Sequence, residues 1–217
     1  MTRNTMKSIC FISFLFACLF SMSSSFARQS ESITLTTEEI RSSEDCAEPN
    51  KESIALNCKS YHQTTNYTCG PAAIMTLMSY YGKLSPREMN RTTEMRIAAE
   101  MGAKTGDDGG TTESQVENWL SGHGFSVDSG QRVTTDLIVD NLKRGTPTLV
   151  GFSRHWIVAK GFRKGATSEK DEIVFADSCC NVTVISRDTI DYMWLNSQRP
   201  ANHCRDNVGI YIVAKPK

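Results

Sequence analysis

The chain reads as an α+β protein. Helical apolar periodicity fills its first half, short β-branched runs bounded by turns fill its second, and glycines punctuate the segments. Its 217 residues suit one domain with a sizeable core rather than two. With 24 basic and 24 acidic residues the formal net charge is zero, so no electrostatic footprint for nucleic acid is present. No basic run is dense enough for a membrane-surface patch. The partner class therefore has to come from motifs.

Residues 1–27 have the composition of a signal peptide. Arg3 and Lys7 precede the apolar run "ICFISFLFACLF", and Ser25 and Ala27 supply the small residues of a cleavage site. About a dozen apolar residues fall short of the ~20 that span a bilayer, so no stable anchor is expected after cleavage behind Ala27. A lipoprotein attached through Cys18 is the alternative, disfavoured by the bulk of Phe16. Loss of Arg3 and Lys7 leaves 22 basic against 24 acidic residues, a mature chain near −2. Residues 28–55 are polar and low in aromatics, a flexible leader or short propeptide, and the folded domain is expected over 56–217.

Four helices are expected first. Ile74, Leu77, Met78 and Tyr81 recur at i, i+3, i+4 and i+7 and stop at Gly82. "SPRE" at 85–88 reads as a capped start with proline in the first turn, for a helix running to Met101. Thr112 starts a third helix that ends near Gly122, and "TTDLIVDNLKRG" forms a fourth that ends at Gly145. Thereafter "PTLVGF", "HWIVAKGF", "EIVFAD", "VTVIS" and "GIYIVAK" read as strands of a mostly antiparallel sheet, interrupted by the short helix "DTIDYMWL".

The stretch "YHQTTNYTCGPAAIM" carries the chemistry. It puts Cys69 at the start of the first helix, where unpaired amides and the helix dipole favour a thiolate. Gly70 permits close approach of another backbone, and Pro71 costs nothing in a first turn whose amides are unpaired. Gln63, six residues earlier on the incoming loop, could join the Cys69 amide around a tetrahedral oxyanion. Read instead as a half-cystine, Cys69 would leave this arrangement without use.

The spacing Gln-x5-Cys-Gly-Pro-Ala before an apolar helix resembles the papain-like cysteine peptidases, and most of all the bacteriocin-processing, double-glycine-type family with its stand-alone relatives. That resemblance implies a histidine opening a strand and an acid or amide closing the next. "RHWIVAKGF" supplies His155 as base, and "EIVFAD" supplies Asp177 to orient it. His62 sits on the wrong loop, His123 in a helix-stop turn and His203 in a polar loop, while Asp171 and Asp188 flank strands at the wrong ends. Where the family often has proline after the acid, this chain has "SCC". The implied activity is hydrolysis of a peptide or protein substrate without a cofactor. The rival readings are an acyltransferase, transpeptidase or deamidase on the same apparatus, and a non-catalytic peptide-binding module.

Removal of Cys10 and Cys18 with the signal leaves Cys46, Cys58, Cys69, Cys179, Cys180 and Cys204. Export to a periplasmic or extracellular compartment favours disulfides. With Cys69 reserved, two bridges are expected: Cys46–Cys58, and Cys204 with Cys179 or Cys180. No C-x2-C pair exists, so cystine outweighs metal ligation as the reading of these residues. The acceptor tripeptides at Asn66, Asn90 and Asn181 read as chance matches to the glycosylation pattern.

Overall fold

In the computed structural model the described residues are 52–106, 109–152, 154–195 and 209–217. They begin with strand β1 (Ser53–Ala55), followed by helices α1 (Cys69–Tyr80), α2 (Arg91–Met101) and α3 (Glu113–Gly122). Strand β2 (Phe125–Gln131) and helix α4 (Thr135–Lys143) lead into β3 (Thr148–Phe152) and β4 (His155–Arg163). Strands β5 (Glu172–Asp177) and β6 (Asn181–Ser186), helix α5 (Arg187–Leu195) and β7 (Ile210–Pro216) complete the order. The signal segment, most of the leader, Cys46, His203 and Cys204 lie outside the described residues. Among those described, no helix is long and apolar enough to cross a membrane.

The seven strands form one sheet in the order β2-β7-β3-β4-β5-β6, with every pairing antiparallel. Strand β1 pairs with the far end of β4, Ile54 opposite Phe162, beyond the reach of β3. The sheet therefore begins inside the stretch expected to be leader. Its three residues are too few to show alternation, and only the vacant edge of β4 gives them partners.

The near-continuous apolar run of β4 follows from burial on both faces. Trp156 and Val158 join one core with Ile74, Leu77, Ile97, Val116 and Leu120 of α1, α2 and α3. Ile157 and Ala159 join another with Ile138 and Leu142 of α4 and Ile190 of α5. Only the first three helices of the expected helical half thus cover one face; the fourth, α4, crosses to the other and shares it with α5.

Two local expectations change. The second helix starts at Arg91, not at the "SPRE" segment. Ser85 does contact Glu88, but its hydroxyl and amide both donate to that carboxylate, so the hydroxyl does not serve as a helix cap. Asn90 takes that role by accepting from the Thr93 amide. Strand β2 escapes sequence reading because "FSVDSGQ" is an edge strand hydrogen-bonded only to β7, with Phe125 alone fully buried. The third helix, by contrast, starts where expected, after Thr112, and carries a capping box between Thr112 and Gln115.

Helix α1 is locked against the loop before α3. The Trp156 indole donates to the Thr111 carbonyl at 3.2 Å, and Gly70 passes directly under the Thr111 side chain. A Cβ at position 70 would fall well inside contact with the Thr111 hydroxyl and 3.2 Å from its Cβ. Gly70→Ala should therefore lower stability by ~1–3 kcal/mol through overpacking, even though alanine is the better helix former. Denaturant unfolding checks this; equal or higher stability would show that the contact yields without strain.

Candidate active site

Helix α1 opens with Cys69 as its first residue and Thr68 as its N-cap. Thr68 is fully buried but makes no side-chain cap, and no acidic residue occupies the first turn. Its hydroxyl donates instead to Glu94 Oε1 of α2. The positive end of the helix is thereby left facing Cys69 rather than being neutralised by its own cap.

Glu94 is fully buried and gathers three residues of the segment that leads to Cys69. Its carboxyl oxygens accept from the Thr64 amide at 2.9 Å, the Thr64 hydroxyl at 2.7 Å, the Tyr61 hydroxyl at 3.1 Å and Thr68. Sequence reading missed this residue. An acid in the first turn of a helix looks like ordinary dipole complementation, and only its burial reveals the second task.

The antiparallel pairing of β4 with β5, Val158 opposite Ala176, brings the start of one strand and the end of the other to the same end of the sheet. His155 and Asp177 meet there, with Nε2 2.9 Å from Oδ1. Arg154, just before the histidine, has φ 67° in the left-handed region that non-glycine residues seldom adopt. Asp177 is buried and well supplied with donors. Oδ1 also accepts from the Cys179 amide at 2.8 Å, and Oδ2 from the Thr183 hydroxyl at 2.7 Å.

Burial alone would lower the His155 pKa, but hydrogen bonds to Asp177 and to the Cys69 thiol, with their charges, raise it from 6.5 to about 9. Burial of Asp177 acts to raise its pKa. The bonds from His155, the Cys179 amide and Thr183 prevail and hold its carboxyl well below the usual range. His155 is thus hydrogen-bonded to Asp177 and close enough to the Cys69 thiol for each to bear on the other's proton.

Gln63 enters from the other side of the same hairpin. Its amide N–H bonds to the Ser178 carbonyl at 3.0 Å, and its Oε1 accepts from the Ser178 hydroxyl at 2.6 Å and the Cys179 thiol at 3.6 Å. Nε2 donates to the Thr65 carbonyl at 2.6 Å. This is not a solvent-facing loop amide: its oxygen is held by Ser178 and Cys179, and its nitrogen by the Thr65 carbonyl.

The remaining candidates are placed elsewhere. His62 is exposed. His123 stacks on Trp119 and bonds to its carbonyl at 2.7 Å. Asp171 is buried against Lys164, Arg187 and the Gly165 amide, and Asp188 lies exposed beside Ser186 and Thr189. Cys58, expected in a bridge with Cys46, has a free, buried thiol whose pKa burial pushes up to about 12 against the partial opposition of Lys160. It fills core space next to Lys160, whose ammonium bonds to its carbonyl at 3.3 Å.

The sequence model described as "Peptidase_C39 like family" matches residues 55–200. No curated protein sequence matches the chain. Among solved structures, the peptidase domain of Streptococcus ComA, a bi-functional ABC transporter involved in a quorum-sensing pathway, aligns with TM-score 0.52 at 17% identity. The alignment covers 74% of this chain and 100% of that one. A putative C39-like peptidase from Bacillus anthracis aligns with TM-score 0.49 at 12% identity, covering 76% and 98%. A double-glycine motif protease from an AMS/PCAT transporter, in complex with its leader peptide, aligns with TM-score 0.48 at 14% identity, covering 76% and 99%. The family match spans most of the chain and the ComA domain shares its architecture, so the protein is a papain-like cysteine peptidase of the Peptidase_C39-like family.

Proposed function

We propose that this peptidase is exported and hydrolyses peptide bonds through an acyl-enzyme on Cys69. The observation that carries the reading is the His155–Asp177 pair, bonded at 2.9 Å, acting on a Cys69 that opens the uncapped start of α1. The Cys69 thiolate attacks the scissile carbonyl carbon while the His155 imidazolium holds the proton taken from the thiol. The oxyanion is received by the Cys69 amide and the Gln63 side-chain amide. His155 then protonates the leaving amine, the carbon–nitrogen bond breaks, and the acyl group stays on sulfur. Water, deprotonated by His155, cleaves the thioester and restores the thiol. Asp177 fixes the ring so that one nitrogen serves the sulfur and the other stays bonded to carboxylate. Export is supported by the composition of residues 1–27.

The deciding experiment profiles cleavage of a peptide library by the purified mature protein beside Cys69→Ala. The substitution should leave the fold intact and reduce hydrolysis by several orders of magnitude. Comparable cleavage by the variant would refute the assignment.

The pH profile follows from the His155–Asp177 pair. A raised histidine pKa means that the imidazolium, and the stability it adds, is fully present below 6.5 and is lost as pH rises toward about 9. The depressed Asp177 pKa means that its contribution is present above 3.8 and is lost as pH falls further. Hydrolysis should accordingly persist through neutrality, with an alkaline limb in kcat/KM near pH 9 that moves in Asp177→Asn. An alkaline limb already at pH 6.5 would mean that the bonds to His155 do not form.

Glu94→Gln keeps the volume but cannot accept the same set of bonds, because its amide nitrogen meets donors. Turnover should fall by ~10- to 10²-fold with KM changed much less, as the loop carrying Gln63 and the N-cap shifts relative to the sulfur. Steady-state kinetics on protein shown by circular dichroism to be folded provides the measurement; proportionate changes in both constants would mean a binding role instead.

A further inference from the structure

The thiol of Cys179 has no part in the chemistry above, yet it stands beside the catalytic pair. We infer that His155, Asp177 and Cys179 form a site for a thiophilic divalent cation of the Zn2+ class, and that occupying it switches the peptidase off. One ligand atom from each residue, a ring nitrogen, a carboxylate oxygen and the sulfur, lies within 4.8 Å of the other two. Nitrogen, oxygen and thiolate sulfur are the donor types Zn2+ selects, with bonds of about 2.0–2.3 Å; a tetrahedral ion therefore wants its ligands roughly 3.5 Å apart. About 1 Å of side-chain adjustment closes the difference.

The site is also braced as metal sites are. Asp177 is fixed by Thr183 through Oδ2 and by the Cys179 backbone amide through Oδ1, so the carboxylate is oriented before any ion arrives. Sequence and geometry put the sulfur there together. Cys179 lies two residues beyond the acid in the β5–β6 turn, and its thiol reaches the same point from which it contacts Gln63 at 3.6 Å. Binding is a ligand exchange without redox change: the Cys179 thiol and the His155 imidazolium each release one proton to solvent, and the ion takes their place. An ion on the ring nitrogen that faced Asp177 takes away the carboxylate bond and disfavours the imidazolium, so the nitrogen facing Cys69 no longer takes up its proton. That consequence rests on the roles given above to His155 and Asp177, whereas the binding itself does not.

The test uses the purified protein carrying Cys69→Ala, which removes the nucleophile as a competing ligand. Titration with Co2+ should produce a thiolate-to-cobalt charge-transfer absorption, and added Zn2+ should displace it with one ion per chain. Adding either Cys179→Ser or His155→Ala should weaken binding by at least ~10-fold and, for Cys179→Ser, abolish the absorption. Failure of the Cys69→Ala protein to bind either ion, or unchanged binding after both additional substitutions, would overturn the inference. Because these measurements use a protein without its nucleophile, they are independent of the peptidase mechanism. A wild-type protein that fails to cleave peptides would instead defeat that mechanism while leaving cation binding intact.

Discussion

One buried carboxyl group determines how the nucleophile is presented. Glu94 takes the hydroxyl of Thr68 and thereby stops the N-cap from capping its own helix. Substituting a good cap typically costs about 0.5–2 kcal/mol. Here that contribution is diverted into tertiary structure, and the amides at the start of α1 stay available to an anion. The same carboxyl also holds Tyr61 and Thr64, so the segment with Gln63 at its centre is anchored on both sides. The segment around Gln63 and the residue before Cys69 thus share one support. Any change at Glu94 reaches both.

The base is governed by a second balance. Burial opposes charge on His155 and on Asp177 alike, yet each ends in its ionised form because each is the other's best partner. Removing one member would strand the other in a poorly solvated setting. The extra donors on Asp177, Thr183 and the Cys179 amide, matter for this reason: they keep the carboxylate ionised even while the histidine moves its proton.

Much of this was legible in the residues. The apolar spacing of α1, the helix start at Thr112 and the short β-branched runs of β3 to β7 are local signals, and local physics is what sequence patterns record. Cys69, His155 and Asp177 were legible because each occupies the end of such an element. Strand β2 was not, since an edge strand with one buried side chain has too little pattern. The false helix start at Ser85 shows the converse: the right residue types met, but with donor and acceptor roles that do not cap a helix. Glu94 and Ser178 stayed hidden because their partners lie 26 and 115 positions away, and no local window holds both ends of such a bond.

The two halves of the site also differ in how far along the chain their parts lie. His155 and Asp177 are separated by 22 residues and belong to neighbouring strands of one meander. Cys69 comes from α1, far upstream, which packs against those same strands through Trp156, Val158 and Ala176. A ribosome therefore delivers the sulfur long before it delivers the group that activates it, and closing the hairpin does not by itself create a nucleophile. The three side chains can therefore come together only after the strands of the second half have been made and packed against α1.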